Sequence, residues 1–299
     1  MLQFAHGLTG WMSTLNTSNH CAVLGKPITH SRSPQLHLAA YSVLGLDWTY
    51  DRIEQDERSL ESFLNHCDDS WRGLSLTMPL KREAAKLAAQ CDAAATQTQA
   101  VNTLVPSRDA GRITWLGFNT DVPGLKRALR NAGVTTPENA LVLGSGATAT
   151  SAVLSLAQMN TENVTVAARS AERAQPLITF ASQLGLTAEF CSLDAVQAKH
   201  PFNVAVSTLP SDVEVTFPEA LVSAGSVLLD ASYDVWPSAR ASSWQLAGGT
   251  AVSGLSMLAE QALLQVRLFV GGSVELPLAH ESEVQAAMYR AVGLNAQGL

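Results

Sequence analysis

The sequence contains few of the features that mark secreted or nucleic-acid-binding proteins. It has four cysteines in 299 residues, scattered and never spaced as C-x-x-C, which argues against a disulfide framework and a zinc site. Lysine and arginine number 19 against 26 aspartates and glutamates, and they form no basic block. The net charge of −7 therefore argues against a nucleic-acid-binding surface. We predict reduced thiols, no metal and no nucleic-acid partner.

Uninterrupted hydrophobic runs of membrane-spanning length are also lacking. The longest candidate covers residues 255–270 and is broken by Glu260, Gln261 and Arg267. Residues 1–20 lack a basic segment followed by an apolar one, so no signal peptide is predicted, and we expect a loosely ordered extension there. These absences predict a cytoplasmic protein with no membrane partner.

The length and composition that remain predict a two-domain globular protein. With 46% hydrophobic and 15% charged residues, the chain can bury a large core. Candidate strands alternate with candidate helices from residue 21 onward, which predicts βαβ units in a mostly parallel sheet.

A glycine-rich turn at residues 144–148 (GSGAT) follows the apolar run at residues 141–143 and precedes a helical pattern. This is the strand, turn and helix that a dinucleotide fingerprint needs. Gly144 allows the tight turn, Gly146 lets a phosphate approach the backbone, and Ala149 is small enough for close helix packing. The helix N-terminus would hold a pyrophosphate. The alternative is an ordinary glycine-rich turn of an α/β protein.

The next strand, at residues 164–169, ends 25 positions after Gly144 at Arg169. A carboxylate there would bind the ribose 2′-hydroxyl of NAD, whereas arginine accommodates the extra phosphate of NADP. No acid stands at this strand end, and Arg173 follows one helical turn later. The pattern favours NADP, the alternative being a solvated arginine that starts a helix.

Polar residues in the first part of the chain lie where strands end or helices begin. Ser33 is predicted to be an N-cap followed by Pro34, whereas Ser31 has no capping duty, and two such hydroxyls suit a carboxylate ligand. Lys81 stands at a helix start, where the helix dipole disfavours a cation, which indicates a functional lysine. Asn102 is predicted inside an apolar strand, where a buried amide needs partners.

Three further residues are candidates by position. Asp121 opens a helix at the seam between the predicted domains, where clefts form, although the dipole alone favours an acid there. Tyr233 carries a hydroxyl just beyond a strand end. Gln261 falls among the apolar residues of a long helix and must be paired if it is buried.

Together these motifs resemble the shikimate dehydrogenase family from about residue 21 to residue 272. The matching segments, in family order, are GKPITHSRSP, LTMPLKREA, AVNTL, GFNTD, GSGAT, AARS and SGLSMLAEQ. The resemblance implies reversible NADPH-dependent reduction of 3-dehydroshikimate to shikimate in chorismate and aromatic amino-acid biosynthesis. It also implies a mostly parallel α/β substrate domain at residues 21–119, completed by residues 255–299, and a Rossmann NADP domain at residues 120–254. A monomer or a homodimer is expected.

The resemblance also assigns roles to matching positions. Lys81 and Asp121 correspond to the family's catalytic pair, with Lys81 as the proton donor. The substrate-binding residues implied are Ser31, Ser33, Thr77, Asn102, Asp121, Tyr233 and Gln261. The cofactor-binding residues implied are Gly144, Ser145, Gly146, Ala147, Thr148, Ala168, Arg169, Ser170, Arg173, Ala231, Gly254 and Met257.

The sequence departs from the family pattern in several places, and alternatives stay open. Ala168 stands where the family usually has Asn, Ser75 stands where Asn is common, and the segment after Tyr233 displaces an expected proline. One alternative is a quinate/shikimate dehydrogenase paralogue that uses NAD. Another is a non-catalytic NADP-binding regulatory protein, although such a protein would need neither Lys81 nor Asp121.

Overall fold

The computed structural model describes residues 19–109 and 111–299. The predicted extension at residues 1–20 lies outside the described residues, except for its last two, which begin the first strand. In the part of the chain that is described, no helix is both long enough and apolar enough to cross a membrane.

Among these residues, the first half of the chain forms a six-stranded sheet with helices packed on it. Its strands are β1 (Asn19–Gly25), β2 (Trp48–Glu54), β3 (Trp71–Leu76), β4 (Gln90–Cys91), β5 (Thr103–Asp109) and β6 (Arg112–Phe118). Its helices are α1 (Ser33–Leu44), α2 (Glu57–His66), α3 (Lys81–Leu87) and α4 (Ala93–Thr98). The strand order is β2-β1-β3-β5-β6-β4. Strand β1 pairs in parallel with β2 and β3, and β4 pairs in parallel with β6. Strand β5 pairs antiparallel with both β3 and β6.

Helix α5 (Asp121–Asn131) leads into a second sheet, which within the described residues also has six strands. Its strands are β7 (Asn139–Leu143), β8 (Asn163–Ala168), β9 (Thr187–Ser192), β10 (Phe202–Ser207), β11 (Val222–Asp230) and β12 (Thr250–Ser253). Its helices are α6 (Ala147–Ala157), α7 (Ala171–Gln183) and α8 (Ala239–Leu246), with 3₁₀ turns at Leu193–Ala198 and Glu219–Leu221. All neighbours pair in parallel, in the order β12-β11-β10-β7-β8-β9. This is the dinucleotide-binding order, so the predicted Rossmann fold is confirmed.

The last helices, α9 (Gly254–Gly271) and α10 (Glu281–Ala291), return to the first sheet. Leu263 of α9 and Met288 of α10 share one buried cluster with Val23 of β1 and Leu36 of α1. The two ends of the chain therefore build one core, as the resemblance implied.

Helices and strands form where the pattern of apolar residues agrees with the residues that favour the start or the end of such an element. Strand β7 is buried from Ala140 to its end, because helices cover both faces of a parallel sheet. Helix α5 buries Leu125 and Leu129 on one face and begins with the acid Asp121, which the helix dipole favours.

A buried polar network crosses the core of the first sheet. His37 is stacked on Tyr50 with ring centroids 4.0 Å apart, and its Nε2 lies 3.2 Å from Oε1 of Gln265. Ser75 accepts from the Tyr50 hydroxyl at 2.6 Å and donates to the same Gln265 oxygen at 2.9 Å. Since an amide oxygen only accepts, Nε2 of His37 carries the proton. Burial lowers the pKa of His37 from 6.5 to about 3, opposed by the Gln265 bond.

The buried imidazole predicts acid sensitivity. Below pH 6.5 the unfolded chain binds a proton at His37 that the folded chain cannot bind until about pH 3, so folding stability falls as the pH drops through this window. His37→Gln should flatten the dependence by up to about 1.4 kcal/mol per pH unit. Urea unfolding between pH 4 and pH 7 measures this, with the exposed His200→Gln as control. A His37→Gln curve parallel to wild type would contradict the prediction.

Candidate functional site

A cleft of about 440 Å³ lies between the two sheets, where polar residues follow the carboxyl ends of their strands. The eight predicted catalytic and substrate-binding residues all line it: Ser31, Ser33, Thr77, Lys81, Asn102, Asp121, Tyr233 and Gln261. Four predicted cofactor-binding residues line it as well: Thr148, Ala231, Gly254 and Met257. Side chains from both halves of the chain and from α9 thus meet in one cleft.

Lys81 and Asp121 form an ion pair in this cleft. The Nζ of Lys81 lies 2.7 Å from Oδ2 of Asp121, and the two side chains are only 13% and 6% exposed. Lys81 is the first residue of α3 and Asp121 the first of α5, so two helix starts bring them together. The ammonium also donates to Oγ1 of Thr148 at 3.4 Å. An ammonium has three N–H groups, so the described partners leave one available to a ligand.

Asn102 holds the other oxygen of the Asp121 carboxylate. Its Nδ2 donates to Oδ1 of Asp121 at 2.8 Å, to Oγ1 of Thr120 at 2.9 Å and to Oε1 of Gln261 at 3.1 Å. Asn102 lies directly before β5 and not inside a strand, so the predicted strand start was wrong. Its backbone still bonds to both neighbouring strands, since its N–H donates to the carbonyl of Phe118 at 3.1 Å and its carbonyl accepts from the N–H of Leu76 at 2.8 Å. Its Oδ1 accepts from the N–H of Thr120 at 2.8 Å.

The two serines at the start of α1 both line the cleft, and neither is the N-cap. Helix α1 begins at Ser33, so the cap position is Arg32 and the predicted Ser33 N-cap was wrong. The Oγ of Ser31 accepts from the backbone N–H of Ser33 at 3.3 Å, and Ser33 is buried. No local pattern indicated Arg52, whose Nε and Nη2 donate to the carbonyl of Ser31 at 2.8 and 2.6 Å. Only the fold brings β2 beside this loop.

Thr77 follows β3 at the cleft and is held by its backbone N–H, which donates to the carbonyl of Leu24 at 2.9 Å. Gln261 is buried and paired, as its position in α9 required. Its Nε2 donates to the carbonyl of Leu258 at 2.9 Å, and its Oε1 also accepts from Thr120 at 3.2 Å.

Tyr233 stands on a loop that a buried ion pair anchors. Asp230 and Arg240 are 0% and 1% exposed, and Nη2 of Arg240 lies 3.1 Å from Oδ2 of Asp230. Arg240 also donates to the carbonyl of Pro210 at 3.0 Å, so it ties α8 to the loops after β10 and β11. Burial raises the pKa of the Tyr233 hydroxyl, and the nearby Asp234 charge raises it further. Nothing in the local sequence indicated that Arg240 is buried.

The glycine-rich turn has the geometry that an anion needs. Gly144 has a φ of +107°, and a Cβ there would lie 2.4 Å from Oγ1 of Thr208, so only glycine fits. A Cβ on Gly146 would meet nothing within 4 Å, which leaves open space beside the turn. Helix α6 starts at Ala147 without a side-chain cap. Its first N–H groups therefore suit a pyrophosphate, so the residues present fit NADP.

The remaining predicted cofactor residues lie beside this turn and outside the cleft lining. Strand β8 ends at Ala168, next to β7 at the same edge of the sheet. Arg169 and Arg173 are exposed, and Ser170 caps α7 by accepting from the N–H of Arg173 at 3.4 Å. Two exposed cations near a helix start suit a phosphate. Ala231 and Gly254 touch each other at the cleft, because a Cβ on Gly254 would lie 2.3 Å from the Ala231 carbonyl oxygen.

Two family models match the chain. Residues 23–104 match the shikimate dehydrogenase substrate-binding domain, and residues 126–215 match the shikimate/quinate 5-dehydrogenase model.

Curated relatives agree with these matches. The shikimate dehydrogenase (NADP(+)) of Anaeromyxobacter dehalogenans is 34% identical over 263 residues, which cover 83% of this chain and 90% of that enzyme. The pentafunctional AROM polypeptide of Candida tropicalis is 32% identical over 287 residues, or 88% of this chain. The match spans only 18% of that longer polypeptide.

Solved structures share the fold. The crystal structure of Mycobacterium tuberculosis shikimate dehydrogenase is 40% identical with a TM-score of 0.78, covering 91% of this chain and 99% of that one. The shikimate 5-dehydrogenase of Thermus thermophilus, solved in complex with NADP(H) and shikimate, is 30% identical with a TM-score of 0.76 over 91% of this chain and 99% of that one.

The anchor of the Tyr233 loop is directly testable. Arg240→Met should lower the free energy of unfolding by about 3–5 kcal/mol, because it leaves the Asp230 carboxylate buried without a counter-charge. Adding Asp230→Asn should recover part of the loss. The exposed pair of Lys86 with Glu83 is the control, and Lys86→Met should cost less than about 1 kcal/mol. Equal losses at the two sites in urea unfolding would show that the buried pair does not anchor the loop.

Proposed function

The chain belongs to the shikimate dehydrogenase family, and we infer that it catalyses the reversible, NADP-dependent reduction of 3-dehydroshikimate to shikimate. The observation that carries this inference is the ion pair of Lys81 with Asp121, which lies in the same cleft as residues of the second, dinucleotide-binding sheet. A binding or regulatory protein would have no use for a lysine that is 13% exposed and held by a carboxylate in this place. The reaction belongs to chorismate and aromatic amino-acid biosynthesis.

The cleft supplies the groups that the chemistry needs. Bound NADPH supplies the hydride; the protein aligns the substrate and moves the proton. The ammonium of Lys81 stabilises the negative charge that develops on the substrate oxygen and donates the proton that completes the alcohol. Asp121 orients the ammonium, and Asn102 fixes the carboxylate.

The substrate-binding residues divide by chemistry. Ser31 and Ser33 at the start of α1 bind the substrate carboxylate, and Tyr233 lines that end of the cleft. Thr77, Asn102, Asp121 and Gln261 hold the ring hydroxyls. Residues 144–148 and 168–173 would hold the cofactor, and Ala231, Gly254 and Met257 would contact its nicotinamide.

Domain boundaries, location and assembly are part of the same proposal. We place the substrate domain at residues 21–119 and 255–299 and the NADP domain between them, because β6 ends at Phe118 and α9 begins at Gly254. All four cysteines are free thiols, which suits the reducing cytoplasm. The expected assembly is a monomer or a homodimer.

Initial rates with four substrate and cofactor pairs test the function. Shikimate or quinate is oxidised with NADP⁺ or NAD⁺, and formation of the reduced nicotinamide is followed. We expect shikimate with NADP⁺ to be clearly preferred, because no acid stands at the end of β8 and Arg169 directly follows it. Comparable turnover of quinate with NAD⁺ would move the chain to a quinate-oxidising role. Absence of activity in all four assays would favour the non-catalytic alternative.

The proton donor is tested by Lys81→Ala. The variant should lower kcat by about 10²-fold or more, as expected for loss of a general acid. The Kd for NADP⁺ should change little, because Lys81 belongs to the other sheet. The matched control is Lys86→Ala, an exposed lysine of the same helix paired with Glu83. An equal loss of NADP⁺ affinity would show that the role of Lys81 is misassigned.

A further inference from the structure

Helix α6, which begins at the cofactor turn, carries three hydroxyls on one face. Thr148, Ser151 and Ser155 are spaced three and four residues apart, so they follow one line along the helix. Each is hydrogen-bonded to a group outside α6. Most serines and threonines within helices bond only to their own helix or to water, so three consecutive external bonds require an explanation.

The first bond reaches the proton donor itself. Oγ1 of Thr148 accepts from Nζ of Lys81 at 3.4 Å, while the same ammonium donates to Asp121 at 2.7 Å. Lys81 belongs to α3, a helix of the half built on the first sheet. Thr148 lies in the first turn of α6, a helix of the half built on the second sheet. The ammonium is therefore held from both sides of the cleft.

The second bond reaches the backbone of Asp121 through Asn119. Nδ2 of Asn119 donates to Oγ of Ser151 at 3.1 Å, and Oδ1 of Asn119 accepts from the N–H of Asp121 at 3.0 Å. Ser151 and Asn119 are 0% and 1% exposed. A buried amide bonded on both sides has a single low-energy orientation, because turning it would leave both partners unpaired.

The third bond reaches the residue after Asp121. The single O–H of Ser155 lies between two carbonyl acceptors, that of Val122 at 2.9 Å and that of Ser151 in its own helix at 2.7 Å. Ser155 is fully buried. All three bonds thus end on Lys81 or within two residues of Asp121. None of the three partners lies in the glycine-rich turn or in the loop at residues 168–173.

We propose that this face of α6 fixes the Lys81–Asp121 pair relative to the cofactor turn, with Thr148 as the positioning residue for the Lys81 ammonium. The proposal rests on the proposed function. The hydride donor would be bound by one sheet and the proton donor is carried by the other, and transfer to one carbonyl group requires both to be aligned within a fraction of an ångström. A direct bond from the cofactor helix to the ammonium fixes that alignment.

Thr148→Val tests the proposal, because it keeps the size and the backbone N–H but removes the hydroxyl. We expect the single-turnover rate of NADP⁺ reduction at saturating shikimate to fall about threefold to tenfold, which is the effect of losing one modest hydrogen bond. The KM for shikimate and the Kd for NADP⁺ should stay within about twofold of wild type. Thr148→Ser should restore the rate.

Thr150→Val is the matched control. Thr150 lies in the same helix turn, and its hydroxyl donates only to the carbonyl of Gly146 at 3.2 Å. The control should react at the wild-type rate. A fall in NADP⁺ affinity without a fall in rate in Thr148→Val would show that the hydroxyl serves only the cofactor and would overturn the proposal.

A double-variant cycle with Lys81→Ala completes the test. If Thr148 acts through the ammonium, Thr148→Val should have no further effect on the residual rate of Lys81→Ala. The same fold-loss in both backgrounds would overturn the positioning role. Wild-type enzyme inactive on shikimate with NADP⁺ would instead refute the proposed function, whereas an active wild type with an equally fast Thr148→Val would refute only this inference.

Discussion

The ion pair of Lys81 with Asp121 is the interaction on which the site depends. Burying two charges is costly unless their remaining hydrogen-bonding groups are satisfied, and both side chains here are nearly inaccessible to solvent. Asn102 satisfies the second oxygen of the carboxylate. The start of a helix favours the Asp121 charge and disfavours that of Lys81, so the carboxylate offsets the unfavourable dipole at α3.

The need to hold this pair explains the arrangement of the neighbouring polar residues. Asn102, Thr120 and Gln261 form a connected set of bonds that joins the end of the first sheet to α5 and to α9. Gln261 reaches this set only because the C-terminal helices pack back on the first sheet. The return of the chain end is therefore part of building the site as well as part of the core.

The sequence predicted the parts of the site that local patterns specify. The glycine-rich turn and the helix starts at Lys81 and Asp121 are each encoded within a few residues and lie where predicted. Arg169 was predicted to end its strand and instead directly follows β8. The predictions that Asn102 lies inside a strand and that Ser33 caps α1 were wrong. Hydrogen bonds with neighbouring backbone groups decide both, and the local sequence does not specify them. Arg52 and Arg240 were missed for a different reason. Arg52 bonds to Ser31, 21 residues away, and Arg240 bonds to Asp230 and Pro210, 10 and 30 residues away. These groups become neighbours only through the fold.

The two halves of the site differ in whether their polar groups already have partners within the protein. On the side of Lys81, the proposed proton donor, buried polar groups are bonded to one another. A network behind the cleft continues through Gln265 and Ser75 to the neutral His37. On the cofactor side, α6 begins without a side-chain cap, and Arg169 and Arg173 are exposed. Helix N–H groups and exposed cations of this kind suit an anionic ligand. A proton donor must be oriented before the substrate arrives, whereas a cofactor that binds and leaves in every cycle requires donors that stay open, and the chain meets both requirements in a single cleft.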